Sequence, residues 1–358
     1  MKTQRIGWID ALRGFTMILV VFSHVEVRGM GMPLGYTGVN DLFRLFRMPL
    51  FFFVSGFIAY RIGEVWDWGH YSNSMLKKLR VQVIPMLFFG LLYSTLVYAH
   101  RFDTTPTEAV GIFFNSSSKL GYWFTEALLG MFVIYYTTSF LLRRCKLATR
   151  QWVLVAIAIG LYALSFRSVT HFENNTVARW IGLYNIAQYF QFFIVGNLVS
   201  CYRERVFKVM GNSFVLGALL LLFTGLYIYY CSQSDVQSNY VFTPVSKLTK
   251  ETISFLGIVT LVAVFKHYEQ FFSKETWIGR GLQYIGQRTL DVYLIHYFLI
   301  PSLPMLGTFF SNTNNLILET TTAIMISLLV IFFCMIISNI IRISPFLAHW
   351  LLGVKQKK

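Results

Sequence analysis

Charge is in short supply in this chain: only 13% of its 358 residues are Asp, Glu, Lys or Arg, whereas 55% are hydrophobic and the mean hydropathy is +0.55. A soluble domain of this size cannot hide so much apolar surface, so lipid must be part of its solvent. Acidic residues are scarcest, 16 against 31 Lys and Arg, leaving a formal charge of +15. That surplus does not mark a nucleic-acid binder, because the cations sit in short clusters between apolar stretches and line no amphipathic face. Cysteine is sparse too. Cys145, Cys201, Cys231 and Cys334 lie at or near apolar spans without paired spacing or nearby His, which argues against a disulfide framework and a zinc site. They read as core or lipid-facing thiols, and no metal is expected.

What the chain has instead is a succession of apolar runs, each close to the roughly 20 residues a helix needs to cross a bilayer. Ten spans are expected, at about 11–28, 42–61, 81–100, 122–142, 151–168, 180–201, 213–231, 250–266, 289–307 and 317–341. The fold class is therefore all-α, a polytopic transmembrane helical bundle. A single transmembrane domain over residues 1–358 is expected, with no appended soluble domain. The first run contains Arg13 and His24 and lacks a small-residue cleavage site, so it reads as a retained helix and not as a signal peptide. Alternate connections hold 21 cations on one side and 9 on the other, with Arg13 set aside. The positive-inside rule then puts both termini in the cytoplasm. The longest outer connections, 101–121 and 232–249, are rich in Thr, Ser, Asn and Gln and read as solvated loops or as surfaces for a polar partner. No repeat of the transporter kind is visible.

Ionisable groups inside spans are costly and usually face a protein-lined or watery interior. The first span is richest in them. Arg13 and His24 are eleven residues apart, which is three helical turns plus about 20°, so they share a face at a separation of about 16 Å. Asp10, three residues before Arg13, is spaced to pair with it. The alternative is that Arg13 snorkels to headgroups and His24 only bonds a neighbouring helix. In the second span Pro49 precedes Ser55-Gly56, a small pair suited to close helix approach. Lys77, Lys78 and Arg80, ahead of Pro85, form a cationic cluster suited to phosphate oxygens or to simple topology. Glu126 follows Tyr122-Trp123-Phe124 and reads as a rim carboxylate or a buried one. Asp291 and His296 are five residues apart, about 140° around a helix, and so form no dyad. His296 either lines the same cavity as His24 or bonds a backbone carbonyl. Asn185, Gln188 and Gln191 give the sixth span one polar edge.

In order along the chain, these residues resemble the membrane-bound acyltransferase 3 family, which includes O-acetylases of bacterial surface polysaccharides. The resemblance rests on Ile9-Asp10-Ala11-Leu12-Arg13-Gly14 with His24, Met48-Pro49-Leu50-Phe51-Phe52 to Ser55-Gly56, and Lys78 and Arg80 with Pro85. It continues through Tyr122-Trp123-Phe124 with Ala127-Leu128-Leu129, Phe192-Phe193 with Gly196, and Gly286, Thr289-Leu290, Tyr293-Leu294 and His296. Arg47 is a departure, since many relatives carry histidine there. The resemblance implies an O-acyltransferase of the bacterial inner membrane that passes an acyl group, usually acetyl, from cytoplasmic acyl-CoA to a hydroxyl of a surface glycan or its lipid-linked precursor. It implies that Arg13, Lys78 and Arg80 hold CoA phosphates and that His24 works at the thioester, as general base or as transient nucleophile. No permanently bound cofactor is expected. Some relatives append an extracytoplasmic hydrolase-like domain, so a separate protein could serve that step here. Two other classes compete: a transporter of a small polar solute, and a non-catalytic subunit of a glycan-export complex.

Overall fold

Apolar side chains recur at helical spacing through most of the sequence, and helices connected by turns are what form. The computed structural model describes residues 5–32, 38–61, 63–166, 169–234 and 244–354, with no strand among them. Lys2, Arg167, Lys355, Lys357 and Lys358 of the cation count, and half of the 232–249 connection (235–243), lie outside the described residues.

The longer helices are α1 (Gly7–His24), α2 (Gly38–Ala59), α3 (Trp68–Arg101), α4 (Pro106–Asn115), α5 (Trp123–Leu141), α6 (Leu147–Leu164) and α7 (Leu183–Cys201). They continue as α8 (Ser213–Ser234), α9 (Pro244–His267), α10 (Trp277–Gly286), α11 (Thr289–Leu299), α12 (Pro304–Thr313) and α13 (Leu316–Ile343). Eight of the described helices are long and apolar enough to cross a membrane, or up to nine when α11 and α12 count as one broken span. The expected ten thus shrink for two reasons. The expected 289–307 span bends by 92° between α11 and α12, around Pro301 and Pro304. The expected 180–201 span forms as α7, but Asn185, Gln188, Gln191 and Asn197 dilute its apolar character, and it is not among the eight.

The chain divides into two units, each assembled from three segments. The first comprises Met1–Tyr60, Val195–Thr289 and Ile300–Phe332. Within it α1 packs most extensively on α10, and α2 packs against both α1 and α9. Thirteen of the 18 residues of α1 are buried. By contrast, Phe214, Leu221 and Ile228 of α8 are 84%, 77% and 62% exposed at seven-residue intervals. That ridge would be an aggregation surface in water and is solvated by acyl chains in a bilayer.

Glycine lets α1 and α10 meet backbone to backbone. A Cβ on Gly14 would lie 2.0 Å from the Leu282 carbonyl oxygen, and one on Gly286 would lie 1.7 Å from that of Asp10. Pro49, inside α2, has no N–H to offer the carbonyl four residues back. That carbonyl, on Leu45, accepts a hydrogen bond from the Ser254 hydroxyl of α9 instead. The close approach expected at Ser55-Gly56 occurs beside it: a Cβ on Gly196 would lie 1.9 Å from the Phe53 oxygen, and Asn197 donates to the Gly56 oxygen at 3.5 Å.

The second unit comprises Arg61–Ile194, Leu290–Leu299 and Phe333–Lys358. Here α3 packs on α5, and α5 on α6. Two stretches of α3, Leu79–Val83 and Ser94–Tyr98, are wound as π-helix. Tyr93, Tyr122, Tyr293 and Tyr297 form a buried aromatic cluster in this unit.

Candidate functional site

In the first unit, α1 runs without interruption from Gly7 through His24, so Arg13 and His24 keep the three-turn spacing read from the sequence. Every other residue of α1 is buried except Gly7, Phe15 and Ile18. The ionisable side chains at positions 13 and 24 are thus among the five residues of this mostly packed helix that keep partial access. Immediately after His24 the helix widens into a π turn, Val25–Gly29, which contains the buried carboxylate of Glu26. Single π turns recur at functional sites.

Asp10 is buried, and its partners are numerous. Arg5 donates to it twice, Nε to Oδ2 at 2.5 Å and Nη2 to Oδ1 at 3.3 Å. Gln287 Nε2 donates to Oδ2 at 3.5 Å, and Arg13 Nη1 stands 3.7 Å from Oδ1. The i,i+3 pair expected from spacing is present, but Arg5 holds the carboxylate more tightly. Arg13 Nη2 donates to the Thr289 hydroxyl at 2.8 Å. Arg47, at the departure from the family pattern, donates to the Asn40 side chain at 3.2 Å.

In the second unit the remaining candidates separate into distinct places. Lys78 Nζ lies 3.3 Å from the centre of the Phe132 ring, a cation–π contact. Arg80 sits inside the first π stretch of α3, and its buried Nε makes no hydrogen bond among the described residues. Glu126 is largely buried and not a rim group. Its Oε1 stands 3.7 Å from Lys119 Nζ, which also donates to the Phe114 oxygen at 2.9 Å. Lys119 and Leu120 both adopt left-handed backbone, with φ of 45° and 54°, a strained pair that turns the lysine inward. Tyr293 and Tyr297 brace the turn by donating to the Gly121 oxygen at 2.8 and 3.2 Å.

Asp291 and His296, expected to be no dyad, have separate partners. Asp291 accepts from Ser338 Oγ at 2.6 Å and from Arg342 Nη2 and Nε at 2.6 and 3.1 Å. His296 is fully buried, with Nδ1 3.0 Å from the Val292 oxygen. A carbonyl can only accept, so Nδ1 donates its proton in this contact. Gln191 of the polar edge donates to the Gln188 oxygen at 3.1 Å.

The sequence reading missed the partners: Arg5 and Gln287 for Asp10, Thr289 for Arg13, Lys119 for Glu126, and Ser338 with Arg342 for Asp291. Arg342 and Lys119 counted there only as topology cations. Only Thr289 carried a signal, as part of the quoted Thr289-Leu290 motif.

A family model described as an acyltransferase domain matches residues 6–339. Among characterised sequences, the inner membrane protein YcfT of Escherichia coli (strain K12) is 20% identical over 370 aligned positions, which cover 95% of this chain and 92% of that protein. No solved structure matches.

Proposed function

The chain belongs to the membrane-bound acyltransferase 3 family and is a membrane acyltransferase, and we propose that it moves an acetyl group from cytoplasmic acetyl-CoA to a hydroxyl of a cell-surface glycan or its lipid-linked precursor. The observation that carries this reading is the pattern on α1, where Arg13 and His24, three turns apart on one face, keep partial access on a helix of which thirteen of 18 residues, Asp10 included, are buried. A guanidinium is suited to phosphate oxygens, and Arg13 is assigned to those of CoA. Lys78 and Arg80 are assigned to the same donor on charge and on the resemblance. An extended pantetheine arm is comparable in length to the three turns that lead from Arg13 to His24.

His24 acts as general base. It takes the proton of the acceptor hydroxyl as that oxygen attacks the thioester carbonyl; the carbon–sulfur bond breaks and the CoA thiolate leaves. An imidazole with an ordinary pKa near 6.5 suits this task. Both termini lie in the cytoplasm in this reading, and the bacterial inner membrane is the barrier the acyl group crosses.

The test is labelled acetyl-CoA supplied to inside-out membrane vesicles, with label followed into glycan, for the native protein and for His24→Ala. The native protein transfers label. The variant accumulates normally and loses transfer by roughly a hundredfold or more. Transfer at the native rate by His24→Ala overturns the mechanism, and no transfer by the native protein from acetyl-CoA or longer acyl-CoAs turns the reading toward solute transport.

A further inference from the structure

We propose that Thr289 is a positioning residue for the acyl donor: its hydroxyl aims the Arg13 guanidinium without neutralising it. The inference rests on the reading of Arg13 as a ligand of the donor's phosphates.

Three observations converge on it. First, Arg13 is anchored by a neutral acceptor. Its Nη2 donates to Thr289 Oγ at 2.8 Å, whereas the nearest carboxylate oxygen, on Asp10, is 3.7 Å from Nη1. Asp10 is already forked by Arg5 at 2.5 and 3.3 Å and reached by Gln287. Two guanidinium groups thus share one carboxylate, and the cluster keeps a net positive charge. A second carboxylate at position 289 would hold Arg13 as well but would cancel the charge that an incoming phosphate needs.

Second, the Thr289 hydroxyl is not occupied with capping. Threonine near a helix start commonly bonds the free amides of the first turn. In α11 the N-cap residue is Arg288, and no side chain caps the helix. Thr289 is the first helical residue, it is buried, and its β-branched side chain is stiff about χ1, so the oxygen is presented in a fixed direction.

Third, the spacing between hydroxyl and guanidinium is set by rigid parts. Gly14 follows Arg13 directly, Gly286 precedes Thr289 by three residues, and the two glycines carry the backbone contact of α1 with α10. The donor therefore meets a guanidinium whose rotamers are already restricted, and part of the ordering cost of binding is removed in advance.

The experiment measures the affinity of the full-length protein in detergent for CoA itself, whose phosphates are the same whatever acyl group it carries. Thr289→Val, which keeps the shape and loses the acceptor, weakens CoA binding about tenfold, and Thr289→Ser restores it to within about twofold. Thr289→Asp weakens it further than Val, because the added carboxylate neutralises Arg13. A group that merely joined two helices would lower the thermal midpoint in the Val variant without moving CoA affinity. If Thr289→Val binds CoA like the native protein while Arg13→Gln binds it weakly, the positioning role is wrong. If Arg13→Gln also binds normally, the donor-site reading itself fails. Should the Val variant not accumulate, Thr289→Ala against Thr289→Ser at matched yield gives the same contrast, and equal affinities of those two overturn the proposal.

Discussion

The hydroxyl of Ser254 donates to the carbonyl oxygen of Leu45, an acceptor that stands one helical turn before Pro49 in α2. The proline removes a backbone donor from a membrane helix, and a side chain of another helix replaces it. In hydrocarbon, where water cannot substitute, this repair links the sequence of α2 to that of α9. Ser254→Ala should therefore destabilise the fold by about 1–3 kcal/mol, the cost of an orphaned buried carbonyl. In the background of Pro49→Ala, which returns an amide to the helix, the same substitution should cost much less. Thermal unfolding in detergent of the two single variants and the double variant checks this, and additive effects would show that the two residues are not coupled.

The Gly14–Gly286 contact is less forgiving. An added methyl at 286 lies 1.7 Å from a backbone oxygen, so a main chain, and not a flexible side chain, has to move. Gly286→Ala is expected to lower stability by at least about 1–3 kcal/mol. It should also weaken CoA binding more than a comparable exposed change such as Gly217→Ala, where an added Cβ meets nothing within 4 Å. Size-exclusion profiles after graded heating, read beside CoA affinity, separate the two effects.

Asp291, Ser338 and Arg342 form a polar clip between α11 and the end of α13, with Asp291 and Ser338 buried and Arg342 partly exposed. Removing one charge strands the other. Arg342→Met should cost about 1–3 kcal/mol by leaving the buried Asp291 carboxylate with Ser338 alone, whereas Arg342→Met with Asp291→Leu should recover most of that loss, since apolar replacement of both partners is often neutral. Protein yield and thermal midpoint in detergent check the pattern. A double variant as unstable as the single one would contradict it.

The start of α4 carries a pH-dependent cap. Thr105 and Glu108 exchange hydrogen bonds, Thr105 N to Glu108 Oε2 at 3.0 Å and Glu108 N to Thr105 Oγ at 3.2 Å. The backbone bond from Thr105, and then its side chain, hold the Glu108 carboxyl below the usual glutamate range. A depressed native pKa means that the contribution is complete above the ordinary glutamate value and is lost as pH falls through the lowered one. Hydrogen-exchange protection of residues 106–115 should drop on acidification from pH 6 to pH 3 in the native protein, and Glu108→Gln should show a smaller difference between the two.

The helical class, most span positions and the Arg13–His24 face were legible because each rests on one helix and one period. The Asp10–Arg13 pair was legible for the same reason, as both residues lie on α1. What was not legible depends on residues distant in the chain. Thr289 is 276 positions from Arg13, and Arg342 is 51 from Asp291. The bend between α11 and α12 also escaped, although Pro301 and Pro304 stand there, because summed hydropathy does not register a change of direction. Whether Glu126 is a rim group or a buried one stayed open in the sequence because its burial depends on a left-handed turn at Lys119 and Leu120, which residues of those types rarely adopt.

The π turn after His24 fixes where counting by threes and fours stops. The Met30 amide reaches back five residues to the Val25 carbonyl at 2.9 Å, so one residue more than an α turn holds is spent in that loop of the helix. Everything beyond it slips in phase. A helical wheel drawn through Arg13 and His24 is sound, but the same wheel carried on to Arg28, inside the π turn, no longer gives that cation's direction. His24 is the last residue in register with Arg13, and the slip begins with the next one.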